Sequence, residues 1–413
     1  MSALLLTAGV LAAAAVPVVV LPTAPAAHAD AVRDRQYWLS EYGIRDAWQV
    51  TRGEGVIIAI LDSGVDAAHP DLAGAVIGGT DVSGRGSPTG TEPLGPQGRT
   101  HATMVASLAA GRGSAASAGV IGAAPAASVL SISLAFGPGE RSGDDQVAEG
   151  VRWAVDNGAD IISLSLTRNE LDWPQSWDDA FGYAEANDVV VIAAAGNRGG
   201  GTEQVSAPAT MPGVLTVGGV DRAGRASADA SSQGITLGVM APSENLVGAT
   251  PGGGHSLWQG TSGATPIVAG IAALVRAAHP ELDAANVINR IIATARPVTP
   301  TVPDPNYGYG IIDAAAAVNA TVPAVTKNPL GSLAEWITVH RRAEAPEMST
   351  VLPEARSAVG RVPAAASFGM PSWILDERAA VIPPLAILAA TLTALATLAA
   401  AATLRFVTRA RSE

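Results

Sequence analysis

Five short runs of almost continuous apolar residues most restrict the fold that this chain can adopt. Each run has the length of one β-strand, and so little polar alternation indicates burial on both faces. The runs are VIIAIL (56–61), SVLSISL (128–134), IISLSL (161–166), VVVIAAA (189–195) and LTVGGV (215–220). Between the second and third, Val147, Val151 and Val155 recur at a spacing of four before Gly158, which indicates a helix. The alternation predicts an α/β fold with a mainly parallel sheet and helices on both faces.

The first 29 residues have the pattern of a secretory signal peptide. Residues 4–21 are apolar, and Ala27-His28-Ala29 forms an A-x-A cleavage pattern before Asp30. No lysine or arginine precedes the apolar run, which departs from the usual plan of such peptides. An uncleaved anchor helix is the alternative interpretation. Either way, the segment predicts a protein exported from the cytoplasm.

Residues 379–404 have the pattern of a transmembrane helix. They contain no charged side chain, and at about 1.5 Å per residue the run can cross a hydrocarbon core of about 30 Å. Arg405, Arg409 and Arg411 follow it, so the positive-inside rule places residues 405–413 in the cytoplasm. A buried core helix is the alternative. We therefore expect a single-pass protein of the cell membrane with its body outside.

The composition changes after about Ala320. Residues 321–378 are rich in alanine and proline, and we interpret them as a stalk between a body at residues 30–320 and the membrane. The prolines are Pro323, Pro329, Pro346, Pro353, Pro363 and Pro371.

Charge and cysteine content exclude some classes of function. The formal net charge is -12, which leaves no general basic surface for phosphate groups, so no nucleic-acid partner is expected. The chain has no cysteine, which excludes disulfides, thiolate metal sites and a thiol nucleophile.

Three stretches place a catalytic residue type at the end of a strand or the start of a helix. Asp62 follows the first apolar run, at the carboxyl edge of the sheet where function is expected. His101 precedes a short apolar helix closed by Gly111, and Ser262 opens a longer apolar helix with Pro266 in its predicted first turn. A serine hydroxyl becomes a good nucleophile only when an imidazole takes its proton and a carboxylate orients that imidazole. The three residue types therefore indicate nucleophilic catalysis.

A fourth residue completes this chemistry. Asn197 follows the strand VVVIAAA and Gly196, where its amide can donate to the oxyanion of a tetrahedral intermediate. Singly, each residue has an ordinary structural interpretation, since Ser caps helices, Asp and Asn occupy turns and His makes structural hydrogen bonds. Their occurrence together, in the order Asp, His, Asn, Ser, favours one catalytic unit.

In this order the stretches resemble the subtilases, a family of serine peptidases. The matching stretches are DSGVDAAHPDL, HATMVA (family pattern H-G-T-x-V-A), AAAGN and GTSGATPIVAG (family pattern G-T-S-x-A-x-P-x-V-A-G). The resemblance implies a subtilisin-like peptidase domain over residues 30–320. It also implies a triad of Asp62, His101 and Ser262, and an oxyanion hole of Asn197 and the Ser262 backbone N–H.

The resemblance further implies a substrate-binding cleft. The residues that it assigns to this cleft are Ser165, Leu166, Thr167, Ala194, Ala195 and Gly196. Thr167 and Arg168 stand where the family usually has two glycines, so the specificity of a known subtilisin cannot be carried over. In the family, a proline at the position of Pro208 is often cis, and an ordinary trans turn is the alternative.

Two departures concern the catalytic helices themselves. Ala102 replaces the glycine that normally follows the catalytic histidine, and Gly263 replaces a larger residue after the serine.

A narrower resemblance is to the mycosins, membrane-anchored subtilases associated with type VII secretion. It rests on RDRQYWLSEYGIRDAWQVTRGEGV (33–56), ALVRAAHPELDAANVINRIIATARP (273–297), GYGIIDAAAAV (308–318) and the single C-terminal span. The chain lacks the cysteine-containing insertions of many mycosins. The stretch from Asp30 to Asp62 is too short for the folding pro-domain of many secreted subtilases, so the N-terminal extension (30–54) is expected to pack on the catalytic domain.

No cofactor is predicted. His69 lies between Asp66 and Asp71, but in subtilases this stretch is an ordinary turn, and His255, His279 and His340 lack ligand spacing. Calcium is common in the family, and no EF-hand loop occurs in the sequence.

The principal hypothesis is a membrane-anchored, extracytoplasmic serine endopeptidase that cleaves polypeptide substrates through an acyl-enzyme, with a link to type VII secretion. The alternative is a structural component that stabilises a membrane secretion complex with weak or dispensable catalysis, which Ala102 and the cleft changes support. An α/β-hydrolase esterase fails, because its serine precedes its acid and histidine and GTSGA is not G-x-S-x-G.

Overall fold

A seven-stranded parallel sheet forms the centre of the computed structural model, which describes residues 31–95, 100–135 and 141–341. The strands of the sheet are β1 (Ile57–Asp62), β2 (Val76–Asp81), β3 (Ser128–Ser133), β4 (Ile161–Leu164), β5 (Val190–Ala194), β6 (Leu215–Val220) and β7 (Leu237–Pro242). Their spatial order is β2-β3-β1-β4-β5-β6-β7. Two further strands, β8 (Leu246–Thr250) and β9 (Gly254–Trp258), pair as an antiparallel hairpin.

The described helices surround this sheet. They are α1 (Trp38–Glu41), α2 (Ile44–Ala47), α3 (His101–Ala110), α4 (Gly143–Asp156), α5 (Gln175–Ala186), α6 (Thr261–Ala278), α7 (Ala284–Ala293), α8 (Ala314–Asn319) and α9 (Leu333–His340). Short 3-10 turns occur at Arg33–Arg35, Pro70–Leu72 and Arg198–Gly200. Helix α3 packs against α6, and α4 packs against α5.

All five strands predicted from apolar runs are present, and the parallel sheet is confirmed. The predicted helix between the second and third of these strands is α4, which begins after Ser142, whose side chain accepts a hydrogen bond from the Asp145 N–H. Such a cap satisfies one of the N–H groups that have no partner within the helix.

Four strands were not predicted, and each lacks the apolar run that identified the others. Strand β2 contains two glycines and is only partly buried at the edge of the sheet. Strand β7 is buried but contains Gly238 and ends at Pro242. The β8–β9 hairpin lies outside the sheet, and β9 is largely accessible to solvent.

Close approach of the helices depends on glycines at two contacts. A Cβ atom on Gly270 of α6 would lie 2.6 Å from the Cβ of Ala123, and one on Gly150 of α4 would lie 3.0 Å from Ile132. A side chain at the α6 position would therefore push that helix away from its neighbours.

The N-terminal extension packs on the body, as its length suggested. Trp38 and Ile44 are fully buried in the hydrophobic core. The Arg33 guanidinium donates to the carbonyl oxygens of Gly119 (3.0 Å) and Ala118 (2.8 Å), which joins the start of the described chain to a distant loop.

The residues just after 320 also pack on the body, although the sequence assigned them to the stalk. Leu333 of α9 is 2% exposed, and the Trp336 ring lies 4.6 Å from the Trp173 ring between centroids. Arg341 donates to Asp178 at 2.9 Å. Residues 321–341, which we call the C-terminal arm, therefore do not belong to a stalk as predicted. Their apolar side chains pack against the surface of the body.

The predicted signal peptide (1–29), transmembrane helix (379–404) and cytoplasmic tail (405–413) lie outside the described residues. Within the described part of the chain, α6 alone is long and apolar enough to span a bilayer, and it is 78% buried in the body. Helix α6 is therefore the core helix of this fold.

Candidate active site

Sheet order brings the predicted catalytic residues to one edge. Strands β1, β4 and β5 are neighbours and run parallel, so their carboxyl ends lie side by side. Asp62 is the last residue of β1, Ser165 follows β4, and Asn197 lies three residues beyond β5. Helices α3 and α6, which carry His101 and Ser262, pack against each other beside these ends.

Asp62 and His101 are in direct contact. The Asp62 Oδ2 lies 2.7 Å from the His101 Nδ1, and Asp62 is 1% exposed. The other carboxylate oxygen accepts hydrogen bonds from the N–H (2.6 Å) and the hydroxyl (3.1 Å) of Ser63. Because Nδ1 donates to a carboxylate, the Nε2 of a neutral His101 is left to accept a proton.

The charge of His101 reflects two opposed effects. Burial disfavours the imidazolium and lowers the pKa, whereas the negative charge and hydrogen bond of Asp62 raise it. The net pKa of His101 lies above its ordinary value. Asp62 therefore makes the imidazole a stronger base than burial alone would allow.

The surroundings of His101 accommodate the unusual alanine. Ala102 is fully buried, and His101 still contacts Asp62. The Trp258 ring of β9 lies edge-on to His101 with centroids 5.7 Å apart. A Cβ on Gly263 would overlap Leu246 and lie 3.3 Å from Trp258 Cζ2, so the side chains of β8 and β9 occupy the space of the larger family residue.

Ser262 is the second residue of α6, and Pro266 lies beyond the predicted first turn. Pro266 is the sixth helical residue, so its missing N–H leaves the Ser262 carbonyl oxygen without its helical partner. The Ser165 hydroxyl donates to that oxygen at 2.9 Å. This bond ties the start of α6 to the end of β4.

The hydroxyl of Ser262 forms a second contact with Ser165, in the reverse direction. It donates to the Ser165 carbonyl oxygen at 3.4 Å, and no hydrogen bond to His101 is found among the described residues. Catalytic hydrogen bonds are often long or misaligned without substrate. The Ser262 side chain is thus bonded to Ser165, on a helix that packs against the helix carrying His101.

Asn197 is oriented by the residue before Ser262. Its Oδ1 accepts the Thr261 N–H at 2.8 Å, so the amide NH₂ is left to donate elsewhere. The Ser262 N–H lies in the first turn of α6, where backbone donors have no helical partner. These two groups are the donors that the sequence assigned to an oxyanion hole.

The predicted cleft residues divide into two groups. Leu166 and Thr167 are partly exposed, and their backbone N–H and C=O groups have no partner in the described ranges. Ser165, Ala194, Ala195 and Gly196 are buried, and Gly196 is held by hydrogen bonds to Thr261. The Ala207–Pro208 peptide is cis.

The sequence did not identify three further residues of this region. Asn169 and Thr202 come from separate loops and Trp258 from β9, and each is an isolated residue whose position only the tertiary structure reveals. The replacement of the family glycine by Thr167 was the signal that pointed to this region.

A second cluster of titratable residues lies away from the cleft. His69, Asp71 and His255 bring possible ligand atoms within 4.8 Å of one another. However, His69 Nδ1 accepts the Asp71 N–H and its Nε2 contacts the Gly254 carbonyl oxygen, each at 3.0 Å, while His255 Nε2 contacts Asp71 at 2.7 Å. Both nitrogens of His69 are engaged in contacts that hold the fold.

Comparisons with known proteins agree with this arrangement. Residues 53–310 match the profile of the Subtilase family. Subtilisin E of Bacillus subtilis (strain 168) is 36% identical over 269 residues, which cover 64% of this chain and 66% of that protein, just under two thirds of its length.

Two solved structures are also similar. Fervidolysin from Fervidobacterium pennivorans aligns with a TM-score of 0.62 and 28% identity, covering 71% of this chain and 48% of the other. MycP1 from the ESX-1 type VII secretion system aligns with a TM-score of 0.60 and 28% identity. The alignment covers 74% of this chain and 91% of the MycP1 chain.

Proposed function

The chain belongs to the subtilase family, and we propose that it is a serine endopeptidase in which Ser262, His101 and Asp62 form the catalytic triad. The observation that carries this proposal is the 2.7 Å contact between Asp62 and His101 next to the first turn of the helix that holds Ser262. The order of residues and their place at the sheet edge support it.

In the proposed reaction, the Ser262 hydroxyl turns toward His101 and loses its proton to Nε2 as its oxygen attacks the peptide carbonyl carbon. The Asn197 amide and the Ser262 N–H donate to the oxyanion that forms. His101 then passes the proton to the departing amine, which leaves an ester on Ser262. Water hydrolyses this ester by the same proton transfers, and Ser262 is regenerated.

A peptide substrate can bind in extended form along Leu166 and Thr167. The unpaired backbone groups of these two residues resemble the edge of a sheet, to which an extended chain adds by main-chain hydrogen bonds. Recognition of this kind suits a polypeptide substrate, since any extended peptide can form these main-chain hydrogen bonds.

We expect a fluorophosphonate probe to label the full-length protein, because such a probe reacts with a serine activated by a base. Ser262→Ala should abolish labelling. Ser114→Ala, which makes the same change at an exposed serine of the loop after α3, should leave it intact. Labelling would be followed by in-gel fluorescence.

Two outcomes would oppose the proposal. Labelling that survives Ser262→Ala would assign the nucleophile to another residue. A folded wild-type protein that resists the probe would favour the alternative of a structural component in a membrane complex.

We also propose that the protein is exported, anchored in the cell membrane by residues 379–404 and associated with a type VII secretion complex. The uncharged run and the following arginines support the anchor and its orientation. The similarity to MycP1, which is described as part of the ESX-1 type VII secretion system, supports the association.

Protease added outside intact spheroplasts is expected to release a soluble body. Because residues 321–341 pack on the body, we expect the cut within residues 342–378 rather than across the whole predicted stalk. Mass spectrometry of the released fragment locates the cut. A body that resists protease until the membrane is opened would overturn the proposed orientation.

A further inference from the structure

Two segments, which we call walls, contact the start of α6: Ser165 bonds to Ser262, and Asn197 bonds to Thr261. We call the space between these two segments the gap. The first wall is residues 165–169, which follow β4. The second wall is residues 194–197, which begin at the last residue of β5, together with Thr202 and Ser206 from the loop beyond it. In the proposed reaction the scissile carbonyl oxygen points toward Asn197 while the substrate backbone lies along the first wall. The side chain on the carbonyl side of the scissile bond is then directed between the two walls.

Hydrogen bonds join the two walls across this gap. The Thr167 hydroxyl lies 2.7 Å from the Ser206 hydroxyl, and Ser206 is 2% exposed. The Thr202 hydroxyl donates to the Asn169 side-chain oxygen. A long side chain entering the gap would have to separate these pairs and leave buried hydroxyl groups without partners, which is unfavourable.

Backbone bonds hold the walls at a fixed spacing. The Arg168 N–H donates to the Ala207 carbonyl oxygen at 2.9 Å, and the Ala207 N–H donates to the Glu170 carbonyl oxygen at 2.8 Å. Because these bonds run in both directions between the same two segments, neither wall can move outward without breaking them.

A methyl group also packs on the backbone of the second wall. A Cβ atom on Gly196 would lie only 2.5 Å from Thr202 Cγ2, so this methyl packs directly on the backbone of the second wall. Thr202 is 6% exposed. The Thr202 side chain therefore occupies space next to Gly196 that a substrate side chain would otherwise need.

The one cation of the first wall is not free to attract an acidic side chain. Arg168 forms ion pairs with Asp144 and with Glu170, the latter at 2.6 Å, and its guanidinium lies 5.7 Å from the centre of the Trp177 ring. Its charge is thus neutralised by two carboxylates, so the first wall offers no unpaired cation to an acidic side chain.

We propose that this site selects polypeptides with a small, uncharged residue, such as alanine, serine or glycine, on the carbonyl side of the scissile bond. The inference rests on the proposed function, because it assigns the substrate class of the same site. Thr167 and Ser206 are the residues that set this preference by closing the gap.

The test is a series of peptides that are identical except for alanine, leucine or phenylalanine at that position, cleaved by the full-length protein in detergent. One additional methylene in a closed pocket changes kcat/KM by about 10- to 200-fold. We expect kcat/KM for alanine to exceed that for phenylalanine by at least about 100-fold. Thr167→Gly combined with Ser206→Gly should lower this ratio at least tenfold.

A matched control makes the same two chemical changes elsewhere. Thr321→Gly combined with Ser114→Gly alters two exposed residues outside the cleft and should leave the ratio unchanged. Thr167→Ser, which keeps the hydroxyl and removes one methyl group, should give an intermediate ratio if the double variant does not fold.

Fluorophosphonate labelling separates failure of this inference from failure of the proposed function. A protein that labels but cleaves the phenylalanine peptide within tenfold of the alanine peptide would overturn the inference alone. An unchanged ratio in the double glycine variant would also overturn it. A protein that neither labels nor cleaves any peptide would overturn the proposed function, and the inference with it.

Discussion

Replacing Ser262 by alanine is expected to lower kcat for peptide hydrolysis by about 10⁶-fold, the order of loss known for the same change in subtilisin. The variant keeps the fold because the lost hydroxyl makes only one long hydrogen bond, to the Ser165 carbonyl oxygen. Binding and the oxyanion donors remain, so a small residual rate above that of water is expected.

His101→Ala should lower kcat about as much as Ser262→Ala does. The double variant should be scarcely slower than either single variant, because residues that act as one catalytic unit have non-additive effects. Steady-state rates measure the losses and circular dichroism verifies folding. Losses that multiply in the double variant would contradict a single catalytic unit. Ser114→Ala serves as the control with unchanged kcat.

Asp62→Asn is expected to reduce kcat by about 10⁴-fold, because an amide no longer holds the imidazole in the required tautomer. It should also move the acid limb of the pH–rate profile. In the wild type the pKa of His101 lies above the ordinary value of 6.5, so activity, which needs neutral His101, falls as the pH drops through that raised pKa. Without the carboxylate, burial remains and lowers the pKa, and the limb should move to lower pH.

The measurement is kcat/KM from pH 5 to pH 9 for both proteins. Asp172→Asn is the matched control, since it removes the same charge at an exposed position of the loop before α5 and should leave the limb in place. An acid limb that does not move in Asp62→Asn would show that Asp62 does not determine the basicity of His101.

The parts of the fold that the sequence predicted are those with the strongest local signals. The apolar run before Asp62 predicted both a buried strand and the emergence of a carboxylate at its end, and β1 has this form. Strands β2 and β7 were not predicted, because glycine interrupts both sequences and proline ends β7. Pairing within the sheet compensates for these weak local preferences.

The C-terminal arm was missed although a signal was present. Ser332 and Glu335 have the spacing of a capping box, and Leu333, Trp336 and Ile337 lie on one face of a helix. The surrounding prolines favoured a stalk over a helix when only the sequence was considered. The surface that receives Trp336 comes from α5 and the loop before it, which no local pattern reveals.

In the candidate site, too, local sequence patterns did not reveal contacts between distant segments. Motif order predicted which of its residues lie together at the sheet edge, whereas the bonds from Thr167 to Ser206 and from Thr202 to Asn169 join segments more than 30 residues apart. Such pairings depend on how the loops after β4 and β5 pack, so the shape of the gap had to come from the structure.

The paired contacts between Ser165 and Ser262 bear on how the proposed reaction activates its nucleophile. The Ser165 carbonyl oxygen accepts the Ser262 hydroxyl, and a peptide that donated a backbone N–H to this oxygen would compete with that hydroxyl. Such competition would free the hydroxyl to turn toward His101. Meanwhile the Ser165 hydroxyl still holds the Ser262 carbonyl, so the side chain can change its rotamer while the backbone of the helix stays in register. The proposed reaction therefore requires the Ser262 hydroxyl to leave the Ser165 carbonyl oxygen before it can pass its proton to His101.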